Sequence, residues 1–442
     1  MHKKYEKQLP LPEAKIDHPK AKELDAISQI LDQNPAIYEL ALKDIICSTK
    51  IKAKGANGMT AEQVVRAAII KHMNGYSYEE LEFHLADSKC YRNFCRLGLV
   101  HKSFKKSALA NNIKAISAES WEAIHRILIT DASAKSIETG RKVRIDCTVV
   151  SADIHEPTDS SLLLDSVRVL TRILGQAKEN NFPCQDHSKR AKRRALGIMN
   201  AKNDKVRKNN YIDLLKVTRK TIGYAKGAVV GLKNYPGAEK SCRELEHYIE
   251  LASKVASQTE QRVVRGESVC AEDKIVSIFE PHSDIIKKDR RETFYGHKIC
   301  LTGGASNLIL DCVILEGNPA DSTLSDQMLD RQKDIYGRYP LKAALDGGFA
   351  SQANLRSAKA KGVSDVCFSK GRGLTAEVMC RSTYVYKLLR NFRAGIESGI
   401  SWLKRSFGLG RCLWKGFPSF KSYVWSAIVS ANLVTIARRQ LA

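Results

Sequence analysis

A chain of 442 residues is long enough for roughly two to three compact domains, because single domains mostly run about 100–200 residues. Its 43% hydrophobic and 27% charged residues exclude a disordered, collagen-like or coiled-coil protein. The 72 Lys and Arg residues outnumber the 48 Asp and Glu residues by 24. Such an excess indicates a polyanionic partner, most commonly nucleic acid, and a merely soluble basic surface is the alternative.

The twelve cysteines form no C-x-x-C pair, which argues against a zinc site, and several lie within apolar runs. Buried free thiols of this kind are typical of a reducing compartment. The N-terminal residues lack the apolar segment of a signal peptide, and no stretch approaches the roughly 20 apolar residues of a membrane span. We therefore expect a cytoplasmic, nucleoid-associated protein with no membrane partner.

The N-terminal part of the chain is predicted to be helical. Residues 1–55 are interpreted as a polar tail and a first helix, and residues 56–135 as an all-α domain. Two capping-box patterns, at 60–63 (TAEQ) and 77–80 (SYEE), each predict the start of a short helix. With the basic stretch 89–96, these helices resemble a helix-turn-helix that binds DNA. An ordinary helical hairpin is the alternative, and the net charge favours DNA binding.

An apolar strand is predicted at about 141–150, and a helical insertion follows at 158–269. Within the insertion, residues 186–210 carry nine Lys or Arg and two Asp. Such a surface suits a phosphate backbone, whereas a solvated helix face is the alternative. The DNA-contacting candidates here are five neighbouring cations: Lys189, Arg190, Lys192, Arg193 and Arg194.

In the remainder of the chain, the first predicted elements are strands. β-Rich runs at 274–280, 295–304 and 307–317 suggest antiparallel hairpins. A helix at 321–336, a short strand ending at Asp346, a helix, a strand and a basic helical C-terminus follow. Without the insertion, this order is that of an RNase-H-like core. The fold class is therefore α/β: an RNase-H-like catalytic core (136–157 and 270–442) with a helical insertion, preceded by the helix-turn-helix-like domain.

Three acids are candidates for metal-dependent phosphodiester chemistry, which needs carboxylates held by rigid elements. Asp146 lies within the apolar strand, and Asp346 ends another strand and is followed by two glycines. Glu397 is the only acidic residue among residues 378–442, against eleven Lys and Arg. Asp146 and Asp346 could instead be ordinary strand-end acids bonded to an amide, and Glu397 could simply pair with Arg393.

The helix that carries Glu397 also carries several cations. Arg390, Arg393 and Glu397 are spaced i, i+3 and i+7, with Lys404 seven residues further, so one helix face would hold all four. Arg405 is added as a candidate DNA contact. Gly395 and Gly399 flank Glu397, and we expect them to let a nucleic-acid backbone pass close. The competing acids are Asp153, Asp311, Glu316 and Asp365.

These residues resemble the DDE triad of bacterial insertion-sequence transposases: Asp146 in RIDCTVV, Asp346 in ALDGGF and Glu397 in RAGIESGISWLKR. The spacing Arg393-x3-Glu397-x6-Lys404 is similar to the Y-x2-R-x3-E-x6-K signature of the type-four superfamily, with Arg390 at the tyrosine position. The segments 59–88, 274–301 and 399–416 resemble the type-five and ISNCY groups. The likeness covers roughly residues 56–442.

The resemblance implies an RNase-H-like core with Asp146 on its first strand, Asp346 ending its fourth and Glu397 on a later helix. The three acids would bind two Mg²⁺ ions, for which Mn²⁺ can substitute. Water attack at the element ends would free a 3′-hydroxyl, which then attacks target DNA. Arg393 and Lys404 would hold phosphates, and the partner would be the terminal inverted repeats and target DNA, bound by a homodimer or higher oligomer. Two alternatives remain: a non-catalytic sequence-specific DNA-binding protein, and an RNase-H-like nuclease or resolvase.

Overall fold

The computed structural model of the protein describes residues 3–5, 16–48, 58–98, 102–177, 184–232, 237–288 and 292–442. These residues form two compact units, one of Met1–Ser151 with His297–Ala442 and one of Ala152–Gly296. The second unit contains the whole segment 158–269 that the sequence predicts as an insertion. Most of the predicted N-terminal tail lies outside the described residues.

The secondary structure runs in chain order as follows. The helices are α1 (Pro19–Gln33), α2 (Ala36–Ser48), α3 (Ala61–Asn74), α4 (Tyr78–Asp87), α5 (Lys89–Phe94), α6 (Lys106–Ala115), α7 (Ala118–Ala134), α8 (Asp159–Ala177), α9 (Ser188–Met199), α10 (Asp204–Leu232), α11 (Glu239–Thr259), α12 (Ser325–Tyr336), α13 (Gln352–Ala360), α14 (Ala376–Met379), α15 (Thr383–Ser406) and α16 (Phe417–Leu441). The strands are β1 (Lys142–Ser151), β2 (Asp284–Lys288), β3 (Glu292–Gly304), β4 (Ile309–Ile314), β5 (Lys342–Leu345) and β6 (Asp365–Phe368). Among these helices, none is long and apolar enough to cross a membrane.

The sheet of the first unit has mixed strand directions. Strands β3, β1, β5 and β6 are neighbours in that order, and β4 pairs with β3. β1 and β6 both run parallel to β5, whereas β3 and β4 form an antiparallel pair. The predicted strand at 141–150, the antiparallel hairpin and the later strands are confirmed. The mixed α/β class of the prediction is therefore correct.

The N-terminal helices start where the sequence predicts. In both capping boxes the side chain and the backbone exchange hydrogen bonds, Thr60 with Gln63 and Ser77 with Glu80. Gly75 ends α3 in the left-handed conformation, φ 66°. The segment 1–55, for which one helix is predicted, contains both α1 and α2.

Burial distinguishes these helices from a simple DNA-binding hairpin. Residues 61–72 of α3 are all buried, because α3 packs against α2, α6 and α16. The exposed α4 carries acidic side chains, including Glu79 and Glu80. In the basic stretch 89–96, Arg92 donates to the carbonyl of Gly98 at 2.7 Å, and Arg96 pairs with Asp32 at 2.7 Å. Two of its three cations are thus engaged within the protein, and α3 cannot enter a DNA groove.

The C-terminal helix α16 completes the core of the first unit. Most of its residues from Phe420 to Ala437 are buried, and it packs against α7, α1 and α3. Its polar contacts reach far along the chain: Ser426 Oγ lies 2.8 Å from His72 Nε2, and Asn432 bonds the backbone of Ile309. Helices from both ends of the chain therefore share one hydrophobic core with the sheet.

The second unit is a helical bundle of α8, α9, α10 and α11. Apolar residues of α8 at 162, 163, 167, 170, 173 and 174 recur with helical spacing and are buried. After α11, a π-helical turn ends at Gly266. β2 pairs antiparallel with the first residues of β3, from Asp284 opposite Gly296 to Lys288 opposite Glu292.

The predicted strand at 274–280 is wrong, because this segment is irregular. Its backbone groups are satisfied by side chains instead of a neighbouring strand. Gln258 donates to the carbonyl of Ile275 at 3.0 Å and accepts from its amide at 2.9 Å, and Ser277 Oγ accepts from the amides of Phe279 and Glu280. A buried apolar run does not distinguish such a segment from a strand.

Candidate active site

Asp146 lies near the middle of β1 in a partly buried position. Side chains alternate along a strand, so Lys142, Arg144 and Asp146 share one face of β1, and α15 packs against this strand. The Asp146 side chain is 16% exposed. Its Oδ1 accepts the backbone N–H of Cys147 at 2.8 Å.

Asp346 follows β5, directly beside Asp146. β1 and β5 are parallel, with Ile145 opposite Leu345, so the next residue of each strand carries the acid. In chain order β5 is the fifth strand, one later than the resemblance implies, because β2 precedes β3. The glycines that follow Asp346 leave space for side chains of the protein itself. A Cβ at Gly348, for example, would lie 2.5 Å from Asp321 Oδ2.

Hydrogen bonds and charge keep the Asp346 carboxyl ionised. Ser369 donates to Asp346 Oδ1 at 2.8 Å and accepts the amide of Gly347 at 2.9 Å. Burial alone would raise the pKa of Asp346, but the Ser369 bond, the Gly347 amide and the Arg393 charge together lower it. The carboxylate form is therefore the stable one at neutral pH.

Helix α15 supplies the third acid. The helix begins after Ser382, whose side chain accepts the amide of Val385. Its buried residues Leu389, Ile396, Ile400 and Leu403 recur at helical spacing, and the helix packs against β1, β5 and β6. Glu397 projects from this helix with its side chain 59% exposed.

One guanidinium group joins all three acids. Arg393 Nη1 lies 2.9 Å from Asp346 Oδ1 and 3.5 Å from Asp146 Oδ2, and its Nη2 donates to Glu397 Oε1. The predicted ion pair between Glu397 and Arg393 is thus formed, but it is only one of three contacts. Asp146, which lies 247 positions before Arg393 in the chain, and the two later acids therefore converge on a single positive charge.

We expected both glycines beside Glu397 to make room for nucleic acid, but their surroundings differ. A Cβ at Gly395 would lie 1.9 Å from Nη1 of Arg144, so this glycine is required by a side chain of the protein itself. Gly399 has nothing within 4 Å of its Cβ position. Only Gly399 borders open space.

The other predicted cations of α15 form none of the described contacts with the three acids. Arg390 is exposed one turn before Arg393, and Lys404 is half-buried in the last turn of the helix. Seven residues of helix place the Cα of Lys404 about 10 Å from that of Glu397. Arg405 is exposed and donates from Nε to the carbonyl of Ser401 at 3.4 Å. Of these candidates, only Arg393 reaches the three acids in the contacts described.

The five cations of the second unit fall into two groups. Arg190 and Arg194 both bind Asp213 on α10, each at 2.5 Å, and these contacts outweigh the effect of burial and lower the pKa of Asp213. Lys189, Lys192 and Arg193 are exposed on α9 and form no ion pair within the described residues. The second group is the one available to an external phosphate.

The competing acids have structural partners of their own. Asp311 is 1% exposed and binds Arg331 through both oxygens, at 2.5 and 2.7 Å. Asp365 is fully buried and accepts the amide of Arg381 at 2.9 Å. Neither acid contacts Arg393.

Two residues of this site were missed by the sequence interpretation, Ser369 and Arg144. Ser369 follows β6 directly, so its position after an apolar strand was a usable signal. Arg144 could have been noticed as a charged residue in an apolar strand, two positions before Asp146 and on the same face. Their partners lie far away in the chain and could not be read from local patterns.

The site contains the oxygen ligands that a hard divalent cation prefers. Among the described residues, no set of three His, Cys, Asp or Glu side chains is arranged around a common metal position. The Arg393 guanidinium contacts all three carboxylates instead. By type, though not by their present arrangement, the three carboxylates are the ligands that such a cation prefers.

Two regions of the chain match family models of known proteins. Residues 269–433 match the family described as a transposase DDE domain, and residues 12–115 match a transposase domain, DUF772. Asp346 and Glu397 fall within the first match, and Asp146 lies between the two. Neither the curated proteins nor the solved structures gave a significant match. With both of its matched regions belonging to transposases, the chain is a DDE transposase of the kind that insertion sequences encode.

Proposed function

We propose that this transposase binds the ends of its insertion sequence and catalyses Mg²⁺-dependent strand cleavage and strand transfer, with Asp146, Asp346 and Glu397 as catalytic residues. The observation that carries the proposal is the convergence of these acids, from β1, the end of β5 and α15, on the Arg393 guanidinium. Three carboxylates gathered around one positive charge are suited to hold divalent cations.

The fold supports an RNase-H-like core for this activity. β4 and β3 form an antiparallel pair, β3 lies beside β1, and β1, β5 and β6 are successive neighbours with parallel pairing from β1 to β6. The helical unit Ala152–Gly296 enters the chain directly after β1. We interpret it as an insertion into the catalytic core, and the helices at 56–135 as the part that reads the element ends through residues outside α3.

The metal ions would be held by Asp146, Asp346 and Glu397, with Mn²⁺ able to replace Mg²⁺. Two ions held there would supply the activation of the attacking oxygen and the stabilisation of the leaving oxygen of a phosphodiester. Ser369 and the Gly347 amide hold Asp346 ionised for this purpose. Arg393 must leave the carboxylates, and a phosphate of the bound DNA strand is the natural new partner for its guanidinium.

DNA would be held by cations around the acids and on the second unit. Arg390, Arg393, Lys404 and Arg405 line α15, where phosphate contacts would position the strand without reading its sequence. Lys189, Lys192 and Arg193 provide a further exposed surface, with Arg190 and Arg194 held by Asp213 beside it. A homodimer or larger oligomer on the DNA, acting at the nucleoid, completes the proposal.

The decisive experiment compares variants that keep shape but remove charge. Asp146→Asn, Asp346→Asn and Glu397→Gln should each abolish end cleavage and strand transfer in Mg²⁺, while binding of end DNA persists or tightens. Glu377→Gln, at an exposed acid of α14, is the control and should keep its activity. Because the three acids act as one unit, a double variant should be little worse than a single one. A folded Glu397→Gln protein that cleaves at the normal rate would refute the assignment.

The same assays separate the alternative functions. A non-catalytic DNA-binding protein would bind ends but cleave in none of the forms. A nuclease or resolvase would cleave but join no 3′-end to target DNA. No observation in the site favours either alternative.

A further inference from the structure

Arg144 is a buried cation on the strand that carries Asp146. It is 5% exposed and lies two residues before Asp146 on the same face of β1. Its Nη1 donates to the carbonyl of Phe392 at 3.1 Å and its Nη2 donates to Asn307 Oδ1 at 2.6 Å. The guanidinium also lies 4.8 Å from the centre of the Phe392 ring.

Arg144 is costly to bury in this way. Burial lowers its pKa although the charge of Glu138 opposes this, and its Nε has no hydrogen-bond partner within the described structure. The two groups that its guanidinium donates to are a carbonyl and an amide, which offset the burial of a charge less well than a carboxylate does.

Two glycines leave the space that Arg144 occupies. A Cβ at Gly395 on α15 would lie 1.9 Å from Nη1, and a Cβ at Gly303 on β3 would lie 3.2 Å from Nε. From its position on β1, Arg144 thus lies against both α15 and β3. On α15, the turn that it touches includes Arg393 and ends two residues before Glu397.

We propose that Arg144 is a positioning residue, which fixes α15 against β1 and thereby sets the separation of Glu397 and Arg393 from Asp146. The inference rests on the proposed function of these acids and adds a residue that does not touch the reacting atoms. Its bond to the Phe392 carbonyl holds the backbone next to Arg393. Metal-dependent chemistry is sensitive to such placement, since an error of about 1 Å can cost about 100-fold in rate.

The first test compares Arg144→Met with the wild-type protein. End cleavage in a single turnover should fall about 10- to 100-fold, while the Kd for end DNA stays unchanged. Mn²⁺ binding measured by calorimetry on the DNA-free protein should also weaken several-fold. Arg144→Lys, which keeps the charge and one donor, should recover part of the cleavage. A purely structural role would instead lower melting temperature, DNA binding and cleavage together, and that result would overturn the proposal.

The second test uses the glycines on either side of Glu397 as a matched pair and needs no activity. Alanine normally stabilises a helix relative to glycine, so Gly399→Ala should raise the melting temperature by about 1–4 °C. Gly395→Ala should lower it, because its methyl group collides with Arg144. In an Arg144→Ala background, Gly395→Ala should become stabilising like Gly399→Ala. Equal effects of Gly395→Ala in both backgrounds would show that Arg144 does not hold this turn.

These experiments distinguish a failure of the positioning role from a failure of the proposed function. If Asp146→Asn and Glu397→Gln remain active, the function of the acids is wrong. If those variants are inactive but Arg144→Met cleaves and binds Mn²⁺ like the wild type, only the positioning role is wrong.

Discussion

Replacing Arg393 should make the DNA-free protein bind divalent metal more tightly. In the wild-type protein the Arg393 side chain is 14% exposed and contacts carboxylates that are 16%, 39% and 59% exposed. Partly exposed ion pairs contribute about 0.2–1 kcal/mol each, and the more exposed ones contribute least. A metal ion must therefore displace contacts that total about 1–2 kcal/mol.

That free energy predicts the size of the effect. Since 1.4 kcal/mol corresponds to a tenfold change in affinity, Arg393→Gln should bind Mn²⁺ about 5- to 30-fold more tightly than the wild type. Calorimetric titration of the DNA-free protein measures this directly, and thermal melting in Mn²⁺ gives a second estimate, because a ligand stabilises the state that binds it. End cleavage should nevertheless fall, since the variant lacks the proposed phosphate contact.

Arg390→Gln is the matched control. Arg390 carries the same charge as Arg393, lies one helical turn before it and is exposed. Its Mn²⁺ affinity should equal that of the wild type within twofold to threefold. If Arg393→Gln binds Mn²⁺ no more tightly than the wild type, the guanidinium does not compete with metal for the three acids.

Three further predictions concern DNA binding, stability and pH. Replacing the exposed cations of α9 (Lys189, Lys192 and Arg193) with Gln should weaken binding to every DNA sequence and reduce the salt slope by up to about 2.7, at about 0.9 per phosphate contact; unchanged binding would favour a solvated helix face. Arg331→Met should lower the free energy of unfolding in urea by about 3–5 kcal/mol, because it leaves the 1%-exposed Asp311 without its partner; a loss below about 1 kcal/mol would contradict this. Burial and the Lys71 charge lower the pKa of His72 to about 3, so below about pH 6.5 the unfolded chain binds a proton that the folded protein does not. Stability should therefore fall as the pH falls from about 6.5 to 3, and His72→Gln should flatten that part of the curve of melting temperature against pH.

Features that depend on neighbouring residues were predictable from the sequence. The two capping boxes place the starts of α3 and α4, because a cap needs only residues three positions apart. Alternation of apolar residues predicts β1 and the face of Asp146. Asp146 and Asp346 could be named as candidates because one lies within an apolar strand and the other follows one, but these patterns did not predict that β1 and β5 are neighbours.

Features that depend on distant partners were not predictable. The burial of residues 61–72 of α3 depends partly on α16, as in the contact of His72 with Ser426, 354 residues away. From the sequence, Gly395 looks like a helix position that borders open space. In the structure Arg144 fills that space, and its partner Phe392 lies 248 residues further along the chain. The segment 274–280 has the composition of a strand, but the backbone N–H and C=O of Ile275 bond the side chain of Gln258 instead of a neighbouring strand.

The position of α16 has a consequence for how the chain is made. Helices α1, α3 and α7 leave the ribosome early, yet the helix that covers their apolar sides is translated after the sheet and the whole second unit. During synthesis these helices therefore expose hydrophobic surface for the time needed to add about 300 further residues, roughly 15–60 s at the usual elongation rate. Until α16 emerges, the nascent chain is a substrate for chaperones that hold apolar surfaces. A ribosome that stalls before α16 would release a product that aggregates instead of one that binds DNA.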